Sequence, residues 1–145
     1  MPTEYILTRT DLAPAKINGE QLAELASSNA ALSGPDAANK QWFTITLYKT
    51  VAGTHVAHVK YRGGSKLREE PVDMVYTGKT AEELMSKIDA IDTDADFVTG
   101  WPTETNPEWM RRHETVCDFA DRQFREVREK ARAILVPFEE PEIIE

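Results

Sequence analysis

The stretch Trp42-Phe43-Thr44-Ile45-Thr46-Leu47-Tyr48 decides the fold class, because its side chains alternate strictly along the chain. Phe43, Ile45 and Leu47 fall on one face of an extended strand, and that face is entirely apolar. The other face carries threonines and large rings, so it is half polar. This alternation is typical of a β-strand that packs one face on a core, and we therefore predict a β-strand here.

A second alternating run follows this strand after a turn at residues 52–54. One set of its side chains is apolar and the other is mixed: Ala57, Val59 and Tyr61 against Val56, His58 and Lys60. Two alternating runs around a connection that contains glycine are typical of a β-hairpin. Val72, Met74 and Tyr76 suggest a third strand that ends at Gly78. We predict an antiparallel meander over residues 41–77.

Two amphipathic helices follow the meander in the sequence. Thr80-Ala81-Glu82-Glu83 has the spacing of a capping box and predicts a short helix over 81–91. Asn106-Pro107 supplies a cap residue and a proline at the first helical position, and a long apolar stripe continues from there to Leu135. The predicted class is α+β: a small antiparallel sheet of three to four strands, packed against one short helix and one long helix over 107–136.

The N-terminal region is expected to contribute a short strand at Tyr5–Thr8 and then a short helix. The helix is predicted after Asn18, because Leu22, Leu25 and Ala26 recur at helical spacing. We expect residues 1–136 to form a single domain and residues 137–145 to form an acidic C-terminal tail. That tail is interpreted either as a frayed terminus or as an extended segment that docks on a partner.

The composition of the chain is that of an ordinary globular protein. It has 145 residues, a single cysteine and a formal net charge of −8. The acidic balance disfavours indiscriminate binding to nucleic acid or to anionic lipid. No apolar run reaches the length of about 18 residues that a membrane helix needs, and no secretion signal is evident. We expect a cytoplasmic protein that does not bind membranes.

Basic charge is concentrated on the predicted hairpin, since residues 37–68 contain no acidic side chain. This basic hairpin, residues 40–68, is the predicted partner-binding surface, with Trp42, Tyr48, Lys49, Lys60, Arg62, Lys66 and Arg68 as its candidate residues. The leading hypothesis is a non-catalytic binding protein that acts by protein–protein contact and regulates or inhibits a macromolecular partner. Because single-stranded nucleic acids are also bound by rings interleaved with basic residues, the alternative is a nucleic-acid-binding regulator.

Catalytic and metal-binding interpretations have less support in the sequence. His113, Cys117 and Asp121 lie four residues apart, which is a metal-binding spacing on a helix, but His113 and Cys117 belong to the apolar stripe. His55 and His58 are three residues apart on a predicted strand and therefore face opposite ways. A small hydrolase or transferase that uses His55 or His58 is a distant alternative. We predict no bound metal and no cofactor.

The long helix also predicts self-association. A helix over 107–136 is about 45 Å long, whereas a compact globule of this size is about 38 Å across. The C-terminal half of its apolar stripe, Val127, Ala131, Ile134 and Leu135, is therefore expected to lie over or beyond the edge of the sheet. Because soluble monomers avoid such exposed patches, we expect a homodimer through these four residues, or a bend near residue 125 that covers them.

The metal interpretation can be tested on the purified protein. We expect elemental analysis to find no stoichiometric metal, because the best candidate ligands lie in an apolar stripe. One zinc or iron ion per chain, lost in the variant His113→Ala, would show that the helix does hold a metal.

Overall fold

The computed structural model describes residues 2–27, 41–63, 71–97 and 107–136, without the side chains of residues 41, 63, 94, 107–113, 115 and 116. The strands are β1 (Thr3–Arg9), β2 (Leu12–Ala26), β3 (Gln41–Thr50), β4 (His55–Gly63) and β5 (Val72–Gly78). The helices are α1 (Ala81–Asp89), α2 (Thr93–Asp96) and α3 (Pro107–Leu135). The antiparallel sheet with one short and one long helix is as predicted, but the sheet has five strands rather than three to four.

The five strands are ordered β1-β2-β3-β4-β5, and each is antiparallel to the next. Short turns produce this arrangement. Asp11, between β1 and β2, has a φ of 60°, a left-handed conformation that aspartate tolerates better than most residues. Gly53, between β3 and β4, has a φ of 90° and confirms the predicted turn.

The helix predicted in the N-terminal region is wrong, because residues 12–26 form the 15-residue strand β2. A bulge explains the error. The register between β2 and β3 slips by one residue between Gln21 and Ala23, so that Leu22 is an extra residue in β2. An extra residue shifts the alternation of a strand by one position. Leu22 and Leu25 consequently have the spacing of a helix although both lie in a strand.

The sheet curls until β1 meets β5, which gives it an inner face and an outer face. At the meeting point, the amide of Thr10 donates to the carbonyl of Asp73 at 2.8 Å. The inner face encloses a small apolar cluster, called here the inner cluster: Leu7, Tyr48 and Val56, with Tyr5, Ala15, Ile17 and Val75 partly buried against them. These residues come from all five strands, so the curl itself buries the inner face.

The outer face is covered by the helices and holds the main core. Phe43 is fully buried at its centre, with ring centroids 4.8 Å from Tyr61, 5.3 Å from Phe97 and 5.2 Å from Phe124. Aromatic side chains bury about 150–250 Å² each, and tilted or edge-on pairs add about 0.5–1.5 kcal/mol. These four rings join β3 and β4 to α3 and to the end of α2.

Helix α1 begins with the predicted capping box. The amide of Glu83 donates to Oγ1 of Thr80 at 3.1 Å, and the carboxylate of Glu83 accepts from the amide of Lys79, one residue before the cap, at 3.2 Å. A Cβ atom on Gly78 would lie 2.5 Å from the backbone nitrogen of Leu84. Glycine at the end of β5 therefore lets α1 turn back closely onto the sheet.

The segment after α1 contains the short helix α2. The side chain of Asp92 caps it, since its Oδ1 accepts from the amide of Ala95 at 3.3 Å. Phe97 follows α2 and is 1% exposed within the main core. Asp92 thus caps α2, and the segment that follows brings into the core an aromatic side chain that the sequence pattern did not indicate.

Helix α3 is a 29-residue helix that packs on the outer face through its C-terminal half. The buried positions recur every three or four residues: Ala120, Phe124, Val127, Ala131 and Leu135. The expectation that this half lies over or beyond the edge of the sheet, with its apolar stripe exposed, is wrong for Val127, Ala131 and Leu135. Alanines at two of these positions let the helix backbone approach the strands, and the stripe fits on the sheet.

The four rings at the centre of the main core predict that two phenylalanines contribute very differently to the free energy of unfolding. Phe43→Ala removes a fully buried ring and should lower the free energy of unfolding by about 3–5 kcal/mol. Phe119 is 47% exposed and contacts Arg122 on the surface of α3, so Phe119→Ala should cost less than about 1 kcal/mol. Urea denaturation of both variants measures the difference, and equal losses would contradict the assignment of Phe43 to the core centre.

Candidate functional site

The structure brings four of the predicted partner-binding residues to the inner face: Trp42, Tyr48, Lys60 and Arg62. Trp42 lies directly opposite Arg62 on the neighbouring strand, and Thr44 lies opposite Lys60. Lys49 falls on the outer face because it alternates with Tyr48. Lys66 and Arg68, like the tail at 137–145, lie outside the described residues. The seven candidates therefore do not form one continuous surface among the residues that the structure describes.

Exposure of the inner face increases along the ladder between β3 and β4. Tyr48 and Val56 are 7% and 1% exposed, and the next pair, Thr46 and His58, are 7% and 3% exposed. The two pairs that follow are half-buried, and they are called the mouth of the curl: Thr44 with Lys60, and Trp42 with Arg62. The inner face thus changes from an apolar cluster into a partly accessible site of aromatic, hydroxyl and basic groups.

Arg62 is held in a fixed position at the mouth. Its Nη1 donates to the carbonyl of Tyr61 at 2.9 Å and to Oδ1 of Asp73 at 2.6 Å. The side chain of Arg62 is nevertheless 32% exposed, whereas that of Asp73 is 14% exposed. A guanidinium group has five N–H donors in a rigid fork. Arg62 is therefore oriented by the protein and still accessible to a ligand.

Asp73 joins the first strand to the last, at a contact called here the seam (Thr8, Thr10 and Asp73). The backbone amide of Asp73 donates to Oγ1 of Thr10 at 2.8 Å, and Oγ1 of Thr8 donates to Oδ2 of Asp73 at 2.5 Å. Burial opposes the ionisation of Asp73, but the hydrogen bonds from Arg62 and Thr8 and the charge of Arg62 outweigh it. The pKa of Asp73 is therefore held below its ordinary value, and the seam contains a carboxylate at neutral pH.

His58 lies beside the seam and is almost fully buried. Its Nε2 is 2.8 Å from the carbonyl oxygen of Thr8, so this nitrogen carries the proton and donates. Burial lowers the pKa of His58, and the positive charges of Lys60 and Arg62 act in the same direction. The bond to Thr8 and the charge of Asp73 oppose this change without cancelling it. At neutral pH, His58 is an uncharged imidazole that holds β1 against β4.

His55 lies on the other face of β4, opposite Lys49 of β3. Its Nδ1 is buried and has no hydrogen-bond partner among the described residues. His55 and His58 therefore face opposite sides of the sheet and do not act as one pair. The distant alternative, a hydrolase or transferase that uses either histidine alone, stays a prediction.

The metal interpretation concerned one face of α3. Cys117 is partly buried against the main core, and Asp121 forms an ion pair with Arg125. The side chain of His113 lies outside the described residues. Within the described part of the chain, no three His, Cys, Asp or Glu side chains come together as a metal-binding group.

A shallow depression of about 570 Å³ lies at the opposite end of the hairpin from the mouth. Its lining is mostly backbone and short side chains, together with Lys49 and Glu20. Gly19 is required there, because a Cβ atom would lie 2.2 Å from the carbonyl oxygen of Lys49. No pattern in the sequence pointed to this depression.

The four residues predicted to mediate self-association separate into two groups. Val127 and Ala131 are fully buried in the main core and Leu135 is 6% exposed, whereas Ile134 is 41% exposed. The chain therefore covers three of the four by itself. Self-association stays a prediction, but among these residues only Ile134 offers substantial apolar surface for it.

This difference can be measured on two adjacent residues. Leu135→Ala should lower the free energy of unfolding by about 2–5 kcal/mol because it leaves a cavity, whereas Ile134→Ala should change it by about 0.5 kcal/mol or less. Light scattering on the same samples measures the oligomeric state. A dimer mass in the wild type that Ile134→Asp converts to a monomer mass would confirm self-association, and a monomer mass in both would contradict it.

In the described part of the chain, no helix combines the length and the apolar character needed to cross a membrane. Comparison of the chain with protein-family models, with curated proteins and with solved structures gives no match in any of the three. Its function has therefore to be argued from its own residues.

Proposed function

We propose that this chain is a non-catalytic binding protein that acts by protein–protein contact, with the mouth of the curl as its contact surface. The observation that carries this proposal is the half-buried pair of Trp42 and Arg62 on the inner face, next to Lys60. Tryptophan and arginine are the side chains most enriched where alanine substitution weakens protein complexes.

The surroundings of Arg62 support a binding role. Its bond to Asp73 fixes the guanidinium before any partner arrives. A group that is ordered in the free protein loses less conformational entropy on binding than a mobile one, so more of its interaction energy contributes to affinity. Both side chains of the pair also stand on paired strands rather than on a loop, which keeps their spacing constant.

The charge of the hairpin favours an acidic surface on the partner. Residues 37–68 contain no acidic side chain, so β3 and β4 bring only positive charge to the mouth, from Lys60 and Arg62. Asp73 of β5 neutralises part of that charge. Complementary charge mainly raises the association rate and the specificity of a complex, and the aromatic ring of Trp42 is expected to contribute more to its affinity.

The same geometry makes the nucleic-acid alternative less favourable. Binders of single strands stack bases on exposed rings beside groups that contact phosphates. Tyr48 is 7% exposed within the inner cluster, and Lys49 lies on the outer face. A protein surface that contacts the mouth needs neither residue. We therefore favour a protein partner.

The proposal is tested by capturing partners from an extract of the source cells with three forms of the protein. The wild type is compared with the double variant Trp42→Ala, Lys60→Glu, and with the control Lys49→Glu, which has the same charge change on the other face. We expect the wild type and the control Lys49→Glu to capture a protein, and we expect this binding to persist after nuclease treatment of the extract. The double variant should bind it at least about tenfold more weakly in a titration, since loss of a central tryptophan costs about 2 kcal/mol or more.

Two results would contradict this function. Equal binding by the double variant would show that the mouth is not the contact surface. Capture of nucleic acid alone, with an affinity that falls steeply as salt is added, would instead establish the nucleic-acid alternative. Circular dichroism of each variant before the assay ensures that lost binding is not lost folding.

A further inference from the structure

A connected set of hydrogen bonds joins three strands at the seam. His58 of β4 donates to the carbonyl of Thr8 in β1 at 2.8 Å, and Oγ1 of Thr8 donates to the carboxylate of Asp73 in β5 at 2.5 Å. Arg62 of β4 donates to the other carboxylate oxygen at 2.6 Å. Side chains rather than a backbone ladder therefore make most of the contact between β1 and β5.

The seam is the weakest join in the sheet. Neighbouring strands elsewhere pair over ladders of at least six residue pairs. Among the described residues, the backbone of β1 and its turn meets β5 in the single hydrogen bond from the amide of Thr10 to the carbonyl of Asp73. Regions with few backbone hydrogen bonds open at a lower free energy than the rest of a protein. Opening here would expose Leu7 and the rest of the inner cluster.

Charged and titratable groups face His58 from several strands. Lys60 and Arg62 are on its own strand, Asp73 is on β5, and Thr46, which does not titrate, is directly opposite on β3. The inner face also holds Tyr48 on β3, Glu24 on β2 and Tyr5 on β1. Two cations thus lie close to the imidazole, and the nearest carboxylate is already bonded to Arg62 and Thr8. A proton added to His58 meets an unfavourable environment.

We propose that His58 is a pH-sensitive latch at the seam, which holds the curl closed while the ring is neutral and releases β1 when mild acid protonates it. The imidazolium would still donate to Thr8, but it would be a buried charge beside Lys60 and Arg62, and opening of the seam returns it to water. The latch does not depend on the proposed binding function. Arg62 of the mouth nevertheless donates to Asp73 of the seam, so release of the latch changes the surface offered to a partner.

The direction of the effect follows from the burial of His58. Burial lowers the pKa of His58 below 6.5 in the closed form, and the open form regains the ordinary value, so the open form binds the proton more tightly. The closed form has its full stability above pH 6.5 and loses it as the pH falls toward the lower pKa. Asp73, whose pKa is also lowered, contributes stability that is lost only below the ordinary carboxyl value of 3.8. The two effects therefore occur in separate ranges of pH.

Hydrogen exchange of the Thr10 amide measures the opening directly, because that amide donates across the seam. We expect its protection, corrected for intrinsic exchange, to fall between about pH 7.5 and about pH 5. The loss should be about tenfold for each pKa unit that separates the open from the closed form. The amides of Ile45 and Val59, in the central ladder of β3 and β4, should keep their protection.

Two glutamine variants identify the group that responds. His58→Gln retains a side-chain donor but does not titrate, so the protection of Thr10 should become independent of pH over this range. His55→Gln makes the same change on the opposite face of β4 and should leave the pH dependence as in the wild type. Asp73→Asn should increase exchange of Thr10 at both pH values, because it weakens the acceptor that Thr8 and Arg62 share.

Unchanged protection of Thr10 between the two pH values would overturn the latch, and so would a pH dependence that persists in His58→Gln. If that variant does not fold, the ring resonances of His58 in the wild type provide a second measurement. Their titration midpoint must coincide with the loss of Thr10 protection, and a different midpoint would also overturn the proposal. Since these experiments need no partner, their failure is distinguishable from failure of the proposed function.

Discussion

A five-stranded sheet has two faces to cover, and in the described fold the helices cover only one of them. The constraint that shapes this fold is therefore the burial of the inner face, which the protein achieves by bringing β1 round to β5. The hydrogen bonds of Thr8 and Thr10 with Asp73 hold that arrangement closed. Without them, only the apolar packing of the inner cluster, such as that of Leu7 with Val56, would hold β1 in place, and the cluster would open to water more readily.

The central strand β3 serves both cores, and this double role explains its composition. Phe43, Ile45 and Leu47 enter the main core under α3, while Thr46 and Tyr48 face into the curl. Toward the start of β3 the curl no longer buries its inner face fully, so Thr44 and Trp42 are half-buried. At the mouth, packing in a core therefore does not determine which side chains are present. Residues there can serve recognition instead of stability.

The sequence allowed the elements set by local patterns to be predicted. Alternation and a glycine turn indicate β3 and β4, and the box at Thr80 and Glu83 indicates α1, because each signal lies within a few neighbouring residues. The bulge at Leu22 gives Leu22 and Leu25 the spacing of a helix, so the sequence pattern did not indicate the strand β2. Phe97 enters the core from a segment without periodicity. Such cases depend on contacts that are distant in the sequence, and no local pattern encodes them.

The candidate site shows the same division. Opposite pairs such as Trp42 with Arg62 follow from the register of a hairpin, so the basic and aromatic character of the mouth was predictable. The contact of Thr8 with Asp73 joins residues 65 positions apart, and it requires knowledge that the sheet curls. The covering of Val127 and Leu135 likewise requires knowledge of how α3 packs across β3 and against α1, which lie far from it in the sequence.

Arg62 connects recognition to the closure of the fold, since one nitrogen of its guanidinium bonds to the carboxylate that holds the seam. A partner carboxylate that takes the Nη1 donor of Arg62 competes with Asp73 for it and thereby weakens the seam. By thermodynamic linkage, opening of the seam must then favour that partner by the same free energy. A partner that instead contacts Trp42 and Lys60 and leaves the bond between Arg62 and Asp73 intact has no such coupling. The effect of partner binding on exchange at Thr10 therefore reports which part of the mouth the partner uses.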